Sequence, residues 1–572
     1  MKYTVVASVL FASLVLVGCE ERSENGAGPT GASIYIVRPD STGDFPTIQA
    51  AIYASVDSDT IELTNGVFTG EGNMDIGYLG KAIVVRSQSG IPDSCIIDCQ
   101  GAGRGFYFRS NETASSVLAG VTIRNASADK GAGIRCTGSS PSVRQCIITL
   151  NHAENDGGGV YCWGSSPDFA QCTISHNSTP SYSHGGGVSC YYSSSPTFTD
   201  CTIDDNDATY GAGVYCFYSS PSFISTTITR GEGSGDGAGV YCYASCSPTF
   251  VACSISNNRV WSSSSSGGGV YCRFSSPSFV QSTISDNASY MYGGGVCCSD
   301  TSSPSFTECT ISGNETNFGG GVYCSESSPT FNQCTIMDNE AAPVGGGVYC
   351  VASSPEFVQC TIRANAADAG GGVFCENASS LKFTECEVSN NRANHLGGGV
   401  SCSGSSPVFM RCSVVNNWTY ERCGGVLCGI GSSPRFIQCT ISNNMAASEE
   451  GGVYCQSASP IFNSTIISFS QGAGIYLENS PACTLVYCDI FGNSSGDIVG
   501  SGPLGLGILA DSNTNGDSCD IYFNIFLDPM FSDTSTQDYQ LQVASPCIDA
   551  GNPALPLDPD GSVTDIGAFY FH

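Results

Sequence analysis

The side chains best able to do chemistry here are the cysteines, 33 in a chain of 572 residues. Most fall in two columns. One follows Val-Tyr or its equivalent, from Cys136 and Cys162 through Cys324 to Cys455; the other precedes Thr-Ile or its equivalent, from Cys146 and Cys172 to Cys439. Thiols at such spacing could ligate a soft metal, form disulfides or pack as small apolar groups. No CxxC…CxxC cluster occurs, which argues against zinc and iron–sulfur sites. Pairing within a repeat is not general, because Thr226, Ser282 and Ser464 stand in the second column while Cys216, Cys272 and Cys455 remain in the first. Pairing between repeats meets a Cβ separation of about 4.8 Å across in-register strands, against the ~3.8 Å a disulfide prefers. Both columns therefore read as ladders of buried thiols. Cys95 with Cys99, Cys483 with Cys488, and Cys519 with Cys547 remain as off-column disulfide candidates.

Aromatic residues form a second set. Five early repeats place Tyr161 and Trp163, Tyr191, Tyr215 and Phe217, Tyr241 and Tyr243, and Tyr271 on one strand face. Tyr192, Tyr218 and Phe274 stand beside them, and Ser299, Ser325 and Glu376 replace the aromatics later. Rings with polar tips stack on sugars, so this stripe, roughly 20 Å long at the inter-strand spacing, is a candidate glycan-binding surface. A tyrosine ladder that only stiffens the sheet is the plain alternative. Acid–base candidates are thin: Asp205, Asp286 and Asp338 share a column but lie far apart, and the five histidines suggest no triad. Oxygen ligands for Ca²⁺ are offered weakly by Asp511, Asn513, Asn515 and Asp517, where Tyr522 stands at the twelfth position in place of Glu, and by Asp558 and Asp560. No other cofactor is expected.

The elements that must position these groups are repeats. Aligned on the residue after the last glycine, from Ile134 to Ile475, most copies are 26 residues apart and read GGGVYC, then SSPxFxxCTIxxN. Val and Cys of Val-Tyr-Cys share one strand face and Tyr takes the other; buried Val and Cys put Tyr outside. Phe lies three residues before the second Cys, so a bend is needed for both to face inward. About three short strands per turn follow, stacked in parallel on the next turn. The Phe column becomes an internal ring stack, and the Asn column, from Asn177 and Asn206 to Asn365, an amide ladder at a corner. The last Gly is present in every copy from Gly133 to Gly474, whereas the middle one becomes Ala132, Ala212, Ala238 and Ala473. The last position thus needs either a positive φ or close backbone approach.

With GG-V/I and Ile-x-x-Asn in register, the segment from Gly131 to Ile475 resembles the secreted right-handed parallel β-helix proteins and the polymorphic outer-membrane protein repeats. The resemblance implies an all-β fold, one right-handed β-helix solenoid with caps at both ends. Gly43–Gly72 resembles the leading segment of pectin methylesterases and related β-helix proteins; Thr47–Ser55 would be a short helix, Ile48 and Ile52 inward, plugging the open end. The QDTL-type and DFIFG-type motifs of that esterase family are missing. Polygalacturonase landmarks fail too, since Asp204-Asp205 occurs in TIDDN and His184 in SHGGG. Ser545–Phe571 resembles the terminal segment of bacterial surface β-helix proteins and would close the other end.

Residues 1–18 read as an export signal, Lys2 followed by a short apolar run, and Leu16-Val17-Gly18-Cys19 resembles the bacterial lipobox. That resemblance implies lipidation at Cys19, with Glu20 leaning towards the outer membrane or cell surface. Residues 19–33 would be a flexible tether, 34–130 the N-terminal cap and first coils, 131–490 the regular repeats, and 491–572 the last coils and C-terminal cap. A net charge of -31 excludes nucleic acid as a partner and leaves the lipid anchor as the only membrane contact. The expected protein is a monomeric surface lipoprotein that adheres to or recognises polysaccharide. A polysaccharide lyase or glycoside hydrolase working in a groove on the same face is the rival, and a rigid spacer the third reading.

Overall fold

The structure, a computed structural model, describes residues 31–571. The expected signal segment, the lipidation site Cys19 and most of the tether lie outside the described residues. From Ile34 to Gly500 the chain winds as a single right-handed parallel β-solenoid of about 18 turns. Three long parallel sheets run its length, and each takes its inner surface from one column of the repeat. The Phe sheet has 18 strands, from Ile34–Val37 to Thr484–Val486. The Ile sheet runs from Gly66–Phe68 to Asp489–Phe491. The Val-x-Cys sheet has 16 strands, from Phe106–Phe108 to Ile498–Gly500. Like residues pair in register, as in Val322↔Val348 with Cys324↔Cys350, and Phe306↔Phe331. Twelve phenylalanines, Phe169 to Phe462, stack inside with centroids 4.5–5.2 Å apart and nearly parallel planes.

The bend between Phe and Cys has a specific geometry. Gln171, Gln333 and Gln359 at that corner adopt φ of 54°, 53° and 52°, and the next side chain turns into the cylinder. All three corners of a coil use this device, and at each the inward polar group caps a backbone N–H of the coil before. At one corner Ser327 N–H donates to Ser353 Oγ (3.1 Å) and Ser353 N–H to Ser379 Oγ (3.2 Å). At the second, Cys334 N–H meets Cys360 Sγ and Cys360 N–H meets Cys386 Sγ, both at 3.4 Å. At the third, Asn339 donates from N–H and Nδ2 to Asn365 Oδ1 (3.0 and 2.9 Å). Burying these six named groups costs little because they are hydrogen-bonded, whereas the Ser432 and Ser470 hydroxyls further along the ladders are buried without a partner. The second cysteine column is therefore a hydrogen-bonding ladder, which explains its substitutes: Cys201 N–H donates to Thr226 Oγ1 (3.4 Å) and Cys253 N–H to Ser282 Oγ (3.1 Å). The register Thr440↔Ile466 puts Thr465, not Ser464, in that column.

In the GGG segment the first and last glycines do different work. The first takes the left-handed backbone, as at Gly157 (φ 68°) and Gly319 (φ 71°). The last is a matter of space, because a Cβ on Gly321 would lie 2.6 Å from Gly347 O and 3.0 Å from Asn339 Nδ2.

Three expectations need correction. First, a coil has a fourth strand where the segment after Asn is regular: six such strands, from Glu315–Phe318 to Met445–Ala446, form an edge sheet, and single bridges continue it towards His152. Second, the C-terminal segment does not simply close the far end. Residues near Leu506, Ile525 and Phe526 cover the last coil, where Ile490 N–H donates to Ile525 O (3.1 Å), and the chain then doubles back along the Ile-sheet flank. Tyr539 Oη accepts from Asn416 (3.2 Å) and Asn443 (3.0 Å), and Ala568 N–H donates to Thr440 Oγ1 (3.0 Å). Third, every cysteine among the described residues is buried and unbridged. Cys95 and Cys99 bracket the extended run Cys95–Asp98, which separates them by about 13 Å. Leu477 takes the first-column place after Cys455, and Cys483, just before the strand Thr484–Val486, meets the Cys455 thiol from another column; Cys488 donates to Val486 O at the second corner (3.4 Å), and Cys547 donates to Asp489 (3.3 Å) in place of bridging to Cys519.

The N-terminal helix spans Ile48–Ala54, with Ile48, Ala51 and Ile52 buried on the first coil, as the sequence suggests. Thr47 caps its start, and the Lys81 ammonium donates to the carbonyls of Ile52, Tyr53 and Ser55 at its end, where the helix dipole favours a cation. Among the described residues no helix is long and apolar enough to cross a membrane.

Candidate functional site

Only part of the expected aromatic stripe reaches solvent. The Tyr column does point away from the cylinder, but Tyr161, Tyr215 and Tyr241 are only 1, 4 and 7% exposed. The cause is the segment before each GGG, which folds across the outer face of the Val-x-Cys sheet. His184 lies over Tyr215 (centroids 4.3 Å) and Tyr292 over Tyr323 (4.3 Å), making a small second core outside the cylinder. Tyr271 is half-buried in the same layer. These four tyrosines therefore form no open ligand platform.

The surface platform sits two and three residues further on. Trp163, Tyr191, Phe217 and Tyr243 stand in register on four successive coils, followed by Arg273. Beside them Tyr192, Tyr218 and Phe274 occupy the corner. Trp163, Tyr192, Tyr218 and Phe274 are 42, 45, 50 and 46% exposed. Neighbouring rings touch: Trp163–Tyr192 at 4.5 Å, Tyr191–Phe217 and Phe217–Tyr243 at 5.6 Å, Tyr192–Tyr218 at 6.1 Å. The corner residues are left-handed, with φ of 48° at Tyr192, 47° at Tyr218 and 52° at Phe274, as this corner is in other coils whether it holds glycine (Gly138, Gly164, Gly404) or another residue (Ala244, Glu326, Ala352). A bulky L-residue there costs about 1 kcal/mol that glycine avoids.

At the N-terminal end of this platform lies a charged cluster that the repeat pattern hides. A register shift between Ala153 and Asp156 sets Asp156 opposite Lys130. Lys130 Nζ donates to Asp156 Oδ2 (2.8 Å), and His184 Nδ1 lies 2.9 Å from Asp156 Oδ1 and 3.3 Å from the Tyr191 hydroxyl. Burial alone would raise the Asp156 carboxyl, but the hydrogen bonds from His184 and Lys130 hold it below the usual carboxylate range. Burial and the neighbouring Asp156 push the Tyr191 phenol far up. One coil back, Asp129 pairs with Arg104 (2.5 Å) and Arg135 (3.0 Å). Acids, a histidine and guanidinium groups thus do meet on the tyrosine face. Single-column reading missed them because they come from the irregular edge segments of different coils.

The calcium candidates are placed otherwise. Asn513 Oδ1 accepts from the N–H groups of Asn515 (3.0 Å) and Asp517 (2.8 Å), so it closes the turn of the hairpin Asp511–Ser512/Ser518–Cys519. Asn515 Nδ2 donates to Ile548 O (2.7 Å). Asp558 accepts from Asp565 N–H (2.8 Å), and Asp560 from Ser562 N–H (2.9 Å). Among the described residues no three His, Cys, Asp or Glu side chains converge as a metal site requires.

A chain of stacked, in-register coils of this kind is a β-solenoid, and the comparisons place it in a family. The family model described as right handed beta helix region matches residues 81–255, 225–388 and 346–524. The chain belongs to that family. Among solved structures it is similar to pectate lyase Pel9A, at 13% identity over 95% of this chain and 98% of that one, with a TM-score of 0.26. It is also similar to the A-module of the Azotobacter vinelandii mannuronan C-5 epimerase AlgE6, at 11% identity over 79% and 94%, TM-score 0.23. The catalytic domain of a GH87 α-1,3-glucanase shares 11% identity over 77% and 64%, TM-score 0.25. No curated protein matches the chain.

Proposed function

We propose that this protein is an exported, lipid-anchored surface β-helix that recognises polysaccharide through the platform Trp163, Tyr191, Tyr192, Phe217, Tyr218, Tyr243 and Phe274. One observation carries the reading: Trp163, Tyr192, Tyr218 and Phe274 are 42, 45, 50 and 46% exposed and gather with Tyr191, Phe217 and Tyr243 on one face of neighbouring coils, where the cylinder needs no aromatic side chain. Rings in such a row offer flat apolar faces to sugar rings. The anchor at Cys19 would hold the platform at the cell surface. Glycan-array binding by the mature chain, reduced in Trp163→Ala/Tyr192→Ala, tests the platform; undiminished binding by that variant removes it.

The meeting of Asp156, His184, Lys130 and Tyr191 favours a second reading, a lyase or hydrolase acting on the same face. A histidine oriented by a buried carboxylate is a fit general base. Release of unsaturated or reducing sugar ends from polysaccharides, lost in His184→Ala, would select it over recognition alone.

A further inference from the structure

The chain carries a net charge of -31, yet four of its 20 basic residues gather at the start of the aromatic platform. The guanidinium carbons of Arg109, Arg104 and Arg135 lie 4.7, 4.8 and 5.0 Å from the centroid of one ring, Tyr107. Lys130 stands over Tyr161 and Tyr191 on the following coils, at 5.2 and 5.6 Å. Arg104 and Arg135 share Asp129, whereas Arg109 is exposed and lies over the ring. Tyr107, Arg104 and Arg109 also line a cleft of about 340 Å³, walled on the other side by Gln49 and Tyr53 of the N-terminal helix. Two polar atoms nearby, Arg135 Nε and Thr137 Oγ1, are buried without a protein partner. The register places Arg109 in line with Thr137, Trp163, Tyr191, Phe217 and Tyr243, since Phe108 pairs with Cys136 and Thr137 with Trp163. The platform thus begins at an arginine, and at its other end stands Arg273.

We infer that the cleft between the N-terminal helix and the Arg104–Tyr107–Arg109 strand is an anion site that binds the oxyanion of a carboxylate- or sulfate-bearing sugar and so orients a glycan lying along the platform. Arg104 spends donors on Asp129 and on the carbonyls of Lys130 and Gly131, and Arg135 pairs with Asp129, so the exposed Arg109 supplies the guanidinium fork of the cleft, whose lining holds one carboxylate, Asp75, against two arginines. A planar or tetrahedral oxyanion fits a guanidinium fork, and a sugar ring fits Tyr53 and Tyr107. Cations around a partly desolvated cleft hold an anion far better than scattered surface lysines would. The inference rests on the platform reading and names the charge of its ligand.

Calorimetric titration of the full mature chain tests it with three trisaccharides of one linkage: a uronate, its carboxyl-reduced counterpart and a sulfated form. The expected order puts at least one anionic form about tenfold or more ahead of the neutral one, a gap that narrows with added salt. The better of the two anions identifies the oxyanion. Arg109→Ala should bring the anionic probes down to the neutral level and leave the neutral one unchanged. Arg109 is exposed, so this variant keeps its fold. Trp163→Ala/Tyr192→Ala should weaken all three probes alike. If that pair acts as stated while Arg109→Ala changes nothing, the anion site falls and the platform stands. If neither anion binds better than the neutral probe, or no probe binds, the anion site is overturned.

Discussion

The two halves of the Val-x-Cys sheet differ only on one side. Inside, Val and Cys repeat without interruption from Val160 and Cys162 to Val453 and Cys455. Outside, the residue after Cys is Trp163, Tyr191, Phe217 and Tyr243 in the first half, and Ser325, Val351, Glu376 and Ser403 in the second. Both halves keep the same three corner ladders and the same unbroken Phe stack. The solenoid therefore does not need the exposed aromatics, and their restriction to one half is a property of the surface rather than of the fold.

The largest effect should be blind to this difference. Phe198→Ala and Phe409→Ala each remove one ring that is stacked between two others, one in each half. Each should cost about 3–5 kcal/mol, read as a drop in the denaturation midpoint. Clearly unequal losses would mean that the halves differ inside as well as out.

The two cysteine columns separate next. Cys360 accepts a backbone N–H and donates to Val358 O (3.3 Å), so Cys360→Ser keeps both roles, as Ser282 already does, and should cost under about 1 kcal/mol. Cys350 lies in the Val-x-Cys interior, where the neighbours in register are Cys324 and Cys375. A hydroxyl there gains no comparable backbone acceptor, and Cys350→Ser should cost about 1–3 kcal/mol. Similar losses at the two sites would show that the corner thiols act only by packing. Against a lowering hydrogen bond with the preceding thiol of the column, Cys334 for Cys360 and Cys360 for Cys386, the hydrogen bond with the following thiol and burial push both the Cys360 and the Cys386 thiols up to about 12, so neither should react with alkylating reagents in the folded protein.

Changes on the outer face should move binding and leave stability alone. Trp163→Ala/Tyr192→Ala should lower glycan affinity about thirtyfold, from two rings at roughly 1 kcal/mol each. The midpoint should stay within about 0.5 kcal/mol of wild type, like that of Ser325→Ala in the other half. A large loss of stability in the aromatic pair would make those rings structural.

What repeats was readable. The inward Phe, Val, Cys and Ile columns, the Asn ladder and the capping helix follow from spacing and residue type, because every coil faces the same steric problem. What varies from coil to coil was not. The edge strands share no residue type: Arg259, Ala288, Glu315, Glu340 and Ala366 follow one another in a single ladder. The outward tyrosines were correctly oriented, yet nothing in a strand's own alternation shows that the next segment will cover it. Asp156, His184 and Lys130 meet only because a register shift and two variable segments bring them together. The doubling back of the C-terminal segment depends on contacts over a hundred residues apart, such as Gln438 with Thr564.

That docked segment carries the smallest effect, a pH dependence that the regular coils should lack. Asp565 is pushed up to about 6, first by burial, with Asp558 and Asp549 nearby, although it accepts N–H groups from Phe571 (2.6 Å) and Asp549 (2.7 Å). A carboxyl that holds its proton more tightly when docked favours docking in acid. Its contribution is fully present below about 3.8, the ordinary value, and is lost as pH rises towards 6. Backbone amides of residues 547–567 should therefore be better protected from hydrogen exchange at pH 5 than at pH 7.5, after correction for intrinsic rates. Asp565→Asn should flatten the difference and leave the amides of Val322–Ser325 unaffected. Stronger protection at pH 7.5 would mean that the two N–H donors outweigh burial at Asp565, and that the segment docks around a carboxylate.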